Sequence, residues 1–312
     1  MLMKKLIKLV YSLGIRKKYG QVDRIHYLRR LAKKKHARDL WYYSNKDADQ
    51  YTADSDMLVL NDYRGETFFF YCSLHQHTER RMLLGRPNNI QGLDLLAHFV
   101  HDEPCTILDI GANVGSYCVP LAKAFQHLKV YAYEPNPHAL KRLKSNIEVN
   151  KLSNITTQTL AAGAKPGRQM FHANAGSDIG LSSFYGLSNK QQNNDLIEIE
   201  IVTLDQQHKN EKNPIVAIKI DVQGFEYDVL AGATQLITQH NPAIFFEYEA
   251  NNFPTQEEAE QKINELRDFF KSLNYQTFYL TKKDSSLMFP VDWEAPLDGD
   301  ILALPQNPSA AP

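Results

Sequence analysis

The chain has 312 residues, of which 43% are hydrophobic and 23% charged, and its formal net charge is −1 at pH 7. A chain of this length and composition can bury a sizeable core as one large α/β domain or two smaller ones. No apolar run approaches the roughly 18 residues that a membrane-spanning helix needs. The three cysteines lack metal-ligand spacing, so we expect reduced core thiols in a cytoplasmic protein.

The balanced charge hides a basic N-terminal arm. Residues 1–38 contain thirteen Lys/Arg and one acidic residue, and the apolar positions of residues 1–13 recur at helical spacing. Lys8 interrupts the apolar stretch and no small-residue cleavage site follows, so we do not expect a secretory signal. Two interpretations stay open: peripheral contact with an anionic membrane surface at its inner face, and a solvated helix docked on the body. Nucleic-acid binding is disfavoured, because no DNA- or RNA-binding signature accompanies the charge.

Residues 39–100 are predicted to link this arm to the main domain and to cover its site. A polar linker at 44–49 precedes two strands, at 57–60 and 67–71, which flank a turn. Residues 90–100 have helical spacing.

Residues 106–116 read as a buried strand, a tight glycine turn and the start of a helix. Gly111 can adopt a backbone conformation that other residues avoid, and Gly115 allows close approach of the helix. A dinucleotide fingerprint requires G-x-G-x-x-G, but Asn113 and Ser116 occupy its second and third glycine positions. What remains is D-x-G-x-x-x-G, beginning at Asp109.

A second strand, 130–134, ends in Glu134, whose carboxylate can accept hydrogen bonds from both hydroxyls of a ribose. Helix 138–149 follows, and then a third strand, 155–162. The small residues at its end, including Ala162, leave room for a flat adenine ring, although small residues also mark ordinary turns.

Residues 164–213 interrupt the α/β alternation. The alternating segments 169–173 and 198–204 predict a β-hairpin insertion. The polar run 189–195 between them is either a loop at the acceptor end of the cleft or an ordinary surface loop.

The α/β pattern then resumes with a fourth strand, 215–222, containing Asp221, and a fifth, 243–247, ending in Glu247. Helices are predicted at 225–236 and 256–273, last strands at 276–280, 287–289 and 301–304, and a frayed tail at 306–312.

Three ordered blocks, DIGANVGSY, YAYEPNP and IKIDVQGFE, resemble the FkbM-type family of S-adenosylmethionine-dependent methyltransferases. The usual family pattern is DIGANIG, FEPNP and IKIDVEGFE, so Gln223 replaces the usual glutamate. The resemblance implies a doubly wound, mostly parallel seven-stranded sheet, with a methyltransferase domain at 101–305. It also implies O-methylation of a sugar, glycan or secondary metabolite.

The resemblance implies roles for individual residues. The predicted cofactor-binding residues, for S-adenosylmethionine, are Asp109, Gly111, Asn113, Gly115, Glu134 and Ala162. Asp221 and Glu247 are the predicted catalytic residues, since paired carboxylates can take up the proton of a hydroxyl acceptor. They can also bind a divalent cation, but no motif supports one and we predict no metal site. His75, His77, Arg80 and Arg81 are candidate acceptor contacts.

Other interpretations remain open. Asp221 can instead cap the helix that follows it, and Glu226 is expected to be a first-turn helix charge. A non-catalytic module of the same fold would bind the cofactor without turnover, with Gln223 as its support. A nicotinamide-dependent oxidoreductase is disfavoured by Asn113 and Ser116.

Overall fold

The computed structural model describes residues 57–73, 76–82, 87, 89–174, 179–184, 194–280, 288–295 and 297–306. The predicted features outside these residues are the basic arm 1–38, the linker 44–49, His75, residues 189–193 and the tail 307–312. The backbone of His77, Arg80 and Arg81 is described, as part of a short helix. Within the described part of the chain, no helix is long and apolar enough to cross a membrane.

The described elements follow the predicted order closely. The strands are β1 (Met57–Tyr63), β2 (Glu66–Cys72), β3 (Cys105–Ile110), β4 (Leu128–Tyr133), β5 (Ile155–Gln158), β6 (Ala161–Ala162), β7 (Gly167–Asn174), β8 (Asn194–Val202), β9 (Ile215–Ile220), β10 (Ala243–Glu249), β11 (Tyr275–Leu280), β12 (Met288–Pro290) and β13 (Asp298–Pro305). The helices are α1 (His77–Met82), α2 (Ile90–His98), α3 (Cys118–Ala124), α4 (Pro137–Val149), α5 (Leu204–His208), α6 (Glu226–Ala231), α7 (Thr234–His240) and α8 (Gln256–Ser272).

The main sheet confirms the predicted doubly wound α/β fold. Its strand order among the described residues is β12-β11-β13-β10-β9-β3-β4-β5. The five strands from β10 to β5 are parallel, and β13, β11 and β12 add antiparallel pairs at one edge. The sheet has eight strands rather than the predicted seven, because the three-residue strand β12 pairs with β11 at the edge. The order reverses at β3, which makes the β3–β9 boundary the topological switch point.

Each face of this sheet packs against its own core. Ile107 of β3 joins the core built with α2, α3 and α4, whereas Leu108 and Ile110 join the core built with α6, α7 and α8. Every residue of β3 is buried, as expected for a central parallel strand covered by helices on both sides.

The β1–β2 hairpin is attached to α4 by two asparagines. The Asn146 Oδ1 accepts a hydrogen bond from the Tyr71 N–H at 2.8 Å. Asn150 accepts from the Phe69 N–H at 2.7 Å and donates to the Phe69 carbonyl at 2.6 Å. Asn146 lies in α4 and Asn150 is the C-cap residue one turn further on, so together they satisfy the open edge of β2 as a neighbouring strand would. The hairpin turn, Arg64-Gly65, is tighter than predicted.

Two predicted elements are split in the structure. The third strand stops at Gln158, and Ala161 and Ala162 pair instead with β8 in a separate three-stranded sheet, β6-β8-β7. The helix predicted at 225–236 is interrupted at Gly232, where a Cβ would lie 2.0 Å from the Gly163 carbonyl oxygen. This contact joins the end of α6 to the chain beyond β6, which a local periodicity cannot reveal.

Replacing Asn150 with alanine should lower the free energy of unfolding by about 1–3 kcal/mol, because the Phe69 N–H and carbonyl lose their partner in a half-buried position. Urea denaturation measures the loss. Ser145→Ala is the control and should change stability by less than about 0.5 kcal/mol, because it removes a solvent-exposed hydrogen bond from the Ser145 hydroxyl to the Lys141 carbonyl in the same helix. Equal losses in the two variants would contradict this role.

Candidate functional site

The site forms where the ends of β3 and β9 meet. The Asp221 N–H donates to the Ile110 carbonyl at 3.0 Å, which continues the pairing of the two strands. Gly111 then has a φ of 76°, and a Cβ at this position would lie 1.9 Å from the Asp221 carbonyl oxygen. Both the left-handed backbone and the close approach therefore require glycine at position 111.

A buried lysine lies beneath this contact. The Lys219 Nζ donates to the Gly111 carbonyl at 2.8 Å. It also lies 3.3 Å from the Asp109 Oδ1 and 3.7 Å from the Asp221 Oδ2. Burial alone would lower the pKa of Lys219, but the Asp109 and Asp221 carboxylates outweigh burial and raise it. Lys219 is therefore a charged residue that lies between two carboxylates and holds the glycine turn through the Gly111 carbonyl.

Asp109 acts within the protein interior. It is 1% exposed, and its carboxylate faces Lys219 and the thiol of Cys118. Burial and the nearby Asp109 raise the pKa of Cys118 well above the ordinary thiol value. Cys118 is therefore a protonated core residue, in agreement with the sequence interpretation. Cys72 and Cys105 are also free and buried.

The carboxylate of Glu134 organises the other side of the glycine turn. It accepts hydrogen bonds from the Asn113 N–H at 2.7 Å and the Asn136 N–H at 2.8 Å. Asn113 has a φ of 50°, a region that asparagine tolerates better than most residues. Its side-chain Oδ1 is buried and has no hydrogen-bond partner among the described residues. Burial raises the pKa of Glu134 to about 7, although the two N–H donors oppose the shift.

Asn136 connects the insertion to this loop. Its Oδ1 accepts from the His138 N–H at the start of α4. Its Nδ2 faces the carbonyls of Asn174 and Ile179 and the Ser182 Oγ at 2.8–3.3 Å. Residues 179–184 of the insertion are thus held near the end of β4, where they form one wall of a cleft.

The cleft comprises about 580 Å³ of space, including the part open to solvent. Four predicted cofactor-binding residues line it: Gly111, Asn113, Glu134 and Ala162. Phe171, Phe184 and Phe225 form its apolar wall, and the Phe184 and Phe225 ring centroids lie 4.4 Å apart. Asp109 and Gly115 are absent from the lining that the described residues form. Gly115 instead packs beneath Leu143 and Val119, where a Cβ would be too close.

An acidic end, formed by Asp221, Glu247 and Asp300, adjoins the cleft. Phe246 pairs with Ile220, which brings Glu247 beside Asp221, and Glu247 pairs directly with Asp300 across β10 and β13. Burial, Asp221 and Asp300 together raise the pKa of Glu247 to about 8. The structure thus brings the two predicted catalytic carboxylates together, but it contains no group of three metal-ligating side chains that could hold an ion among its described residues.

The proposed cap role of Asp221 is wrong. The helix α6 begins at Glu226 without a side-chain cap. The Glu226 Oε1 instead accepts from the Val222 N–H at 3.2 Å and the Gly224 N–H at 3.1 Å, in the turn that precedes the helix. Asp221 keeps its side chain toward Lys219 and Gln223. Burial raises the pKa of Glu226 to about 7, and its carboxylate holds the turn that precedes α6.

Three residues of this region have no role that the sequence predicts. Lys219 is the one charged residue of β9, which is otherwise apolar, and that isolation is its only signal in the sequence. The ring of Tyr117 lies under the Lys219 Nζ at 5.2 Å, and Asn89, which caps α2, donates to Asp300 at 3.3 Å. These contacts join segments far apart in sequence, so no local pattern could indicate them.

The methyltransferase FkbM domain model matches residues 109–277, more than half of the 312-residue chain. The chain belongs to the FkbM methyltransferase family. The three sequence blocks, the glycine turn and the switch-point cleft all lie within the matched region.

Two curated relatives match parts of the chain. The 2-O-methyltransferase NoeI of Sinorhizobium fredii is 29% identical over 145 residues, which is 43% of this chain and 59% of NoeI. A tRNA(Phe) (4-demethylwyosine(37)-C(7)) aminocarboxypropyltransferase of Methanocaldococcus jannaschii is 40% identical over 57 residues, 18% of this chain and 23% of that protein. The chain thus spans less than two thirds of either relative.

Two solved structures are similar at low identity. A methyltransferase FkbM from Methylobacillus flagellatus KT gives a TM-score of 0.43 at 16% identity, covering 84% of this chain and 58% of that one. An O-methyltransferase from Bacillus cereus, in complex with SAH, gives a TM-score of 0.39 at 16% identity. The match covers 70% of this chain and 81% of that one. Because both TM-scores are below 0.5, the family assignment depends on the domain model and the motifs.

Family membership implies use of S-adenosylmethionine, and the cleft fits that molecule chemically. The Asn113 Oδ1 is a buried acceptor to which no described residue donates, and Glu134 offers a carboxylate to hydroxyl groups. The aromatic wall matches a flat ring. Glycine at position 111 leaves backbone exposed where a Cβ would block close approach.

Replacing Lys219 with methionine should lower the free energy of unfolding by about 3–5 kcal/mol, because it leaves the buried Asp109 carboxylate without its counter-charge. Adding Asp109→Asn should recover part of the loss. Lys262→Met removes more exposed ion pairs to Asp228 and Glu265 and should cost about 1 kcal/mol or less. Urea denaturation measures the free energy of unfolding of each variant. Equal losses for Lys219→Met and Lys262→Met would contradict the stabilising role of Lys219.

Proposed function

We propose that this chain transfers a methyl group from S-adenosylmethionine to a hydroxyl group of a sugar, glycan or secondary metabolite. The observation that carries the proposal is the cluster of Asp221, Glu247 and Asp300, of which Asp221 lines the cleft. Glu247, with a pKa raised to about 8 by burial and by Asp221 and Asp300, is a carboxylate basic enough to take a proton near neutral pH. A hydroxyl acceptor needs such a base, because it must lose its proton as the new C–O bond forms.

The supporting likeness is to an O-methylating protein. NoeI is a 2-O-methyltransferase, and its similarity to 43% of this chain favours oxygen as the acceptor atom. A small-molecule or glycan acceptor and contact of residues 1–38 with an anionic membrane both stay predictions.

In the proposed mechanism, the residues that line the cleft bind the methyl donor, and Glu247 beside the cleft takes up the acceptor proton. When bound, S-adenosylmethionine supplies a methyl group on a cationic sulfur, and that sulfur leaves as the neutral thioether of S-adenosylhomocysteine. Glu134 would accept hydrogen bonds from the ribose hydroxyls, and Phe184 and Phe225 would hold the adenine. Asp221 would lie on the side of the sulfur. Glu247 accepts the proton that the acceptor hydroxyl releases, so the protein supplies alignment and one base.

Glu134→Gln should weaken the binding of S-adenosylhomocysteine about 10- to 100-fold, because hydrogen bonds to a charged acceptor are worth about 1.5–3 kcal/mol. In the wild-type protein, affinity should rise as the pH increases from about 6 to about 8. The buried Glu134 carboxyl is protonated below its pKa of about 7 and accepts fewer hydrogen bonds in that form. Isothermal titration calorimetry measures both effects.

Glu200→Gln, an exposed carboxylate on β8, is the control and should leave affinity and pH dependence unchanged. Wild-type protein that is folded but does not bind S-adenosylhomocysteine would contradict the proposed function. Binding that is unaffected by Glu134→Gln would contradict only the role of Glu134.

Glu247→Gln should lower kcat about 100-fold or more, the typical contribution of a general base, and abolish the rise of rate with pH. In the wild-type protein, the rate should increase until the pH passes about 8, because the carboxyl acts as a base only when ionised. Transfer of the radiolabelled methyl group from S-adenosylmethionine to a panel of mono- and oligosaccharides identifies an acceptor for the profile. Asp298→Asn, an exposed carboxylate at the start of β13, is the matched control. A labelled product methylated on nitrogen would exclude O-methylation.

A further inference from the structure

Gln223 is the residue at which this chain departs from the family pattern, and the structure gives it a defined contact. Its Nε2 donates a hydrogen bond to the Asp221 Oδ1 at 3.1 Å. An ionised carboxylate only accepts hydrogen bonds, so the amide must present its nitrogen to Asp221. Both residues line the cleft.

The backbone at this position is unusual. Gln223 has a φ of 54° and Gly224 has a φ of 99°, so two successive residues adopt a left-handed conformation. The Glu226 carboxylate holds the turn on both sides through the Val222 and Gly224 N–H groups. A non-glycine residue in this region is strained, and such strain is typical of functional sites.

The contacts leave Asp221 with one defined orientation. Gln223 binds the Oδ1, and the Lys219 Nζ lies 3.7 Å from the Oδ2. A glutamate at position 223 would place a second carboxylate against Asp221, where like charges repel. The amide instead holds the carboxylate and adds no charge of its own.

The strand order relates this pair to the methyl donor. β9, which leads to Asp221, and β4, which leads to Glu134, lie on opposite sides of β3 and its glycine turn. If Glu134 binds the ribose, the remainder of the donor extends toward Asp221. A carboxylate at that end attracts a cationic sulfur but not a neutral thioether.

Building on the proposed function, we propose that Gln223 is a positioning residue that orients the Asp221 carboxylate toward the sulfur of the donor. The oriented carboxylate favours the cationic substrate S-adenosylmethionine over the neutral product S-adenosylhomocysteine. Gln223 thereby promotes release of S-adenosylhomocysteine. Its presence in place of the usual glutamate is then no support for a non-catalytic module.

The test compares the affinities of the full-length protein for the two ligands by isothermal titration calorimetry. Asp221→Asn should lower the ratio of S-adenosylmethionine to S-adenosylhomocysteine affinity about tenfold. Gln223→Met, which keeps the side-chain length but lacks the donor, should lower the ratio about threefold. The double variant should match Asp221→Asn alone, because Gln223 acts through Asp221. Gln223→Gly loses the same amide without backbone strain and replaces Gln223→Met if that variant does not fold.

Phe184→Leu is the control, because it changes the aromatic wall that both ligands share. It should weaken both affinities equally and leave their ratio unchanged. If Gln223→Met behaves like Phe184→Leu, Gln223 only supports the turn and the inference is overturned. An additive effect in the double variant would also overturn it. Wild-type protein that binds neither ligand would remove the proposed function and this inference with it.

Discussion

The contact between Gly111 and the Asp221 carbonyl, where a Cβ would come within 1.9 Å, constrains the whole site. It brings the turns after β3 and β9 into direct contact at the switch point, where open α/β sheets bind their ligands. Lys219 secures the contact from below by binding the Gly111 carbonyl. Because that lysine is buried, it needs Asp109 as a counter-charge. Thus Asp109 matters to the cleft without lining it.

This constraint brings two chemically different groups of residues together. The apolar wall of Phe171, Phe184 and Phe225 and the carboxylate after β4, which two N–H groups bind, suit a nucleoside. The carboxylates that follow β9 and lie on β10 suit a cationic sulfur and an acceptor proton. The described part of the insertion is held against the cleft by Asn136, whose side chain bonds to Asn174, Ile179 and Ser182. One asparagine therefore caps α4 and secures the wall of the cleft.

The parts of this arrangement that were predictable from the sequence are those encoded locally. Buried strands, amphipathic helices and the glycine turn follow from hydrophobic period and backbone preference. The order of three motifs indicated the family. In contrast, the transfer of Ala161 and Ala162 to another sheet depends on β8, about 40 residues away. The position of Lys219 against the Gly111 carbonyl is likewise set by a tertiary contact that no single segment contains.

The central claim is that this cleft holds the methyl donor with its nucleoside toward Glu134 and its sulfur toward Asp221. A crystal structure of the protein grown with S-adenosylhomocysteine tests it most directly. We expect the ribose hydroxyls within hydrogen-bond distance of the Glu134 carboxylate, the adenine ring against Phe184 and Phe225, and the sulfur on the β9 side of Gly111. Ligand density elsewhere on the chain, or in this cleft with the two ends exchanged, would contradict the account.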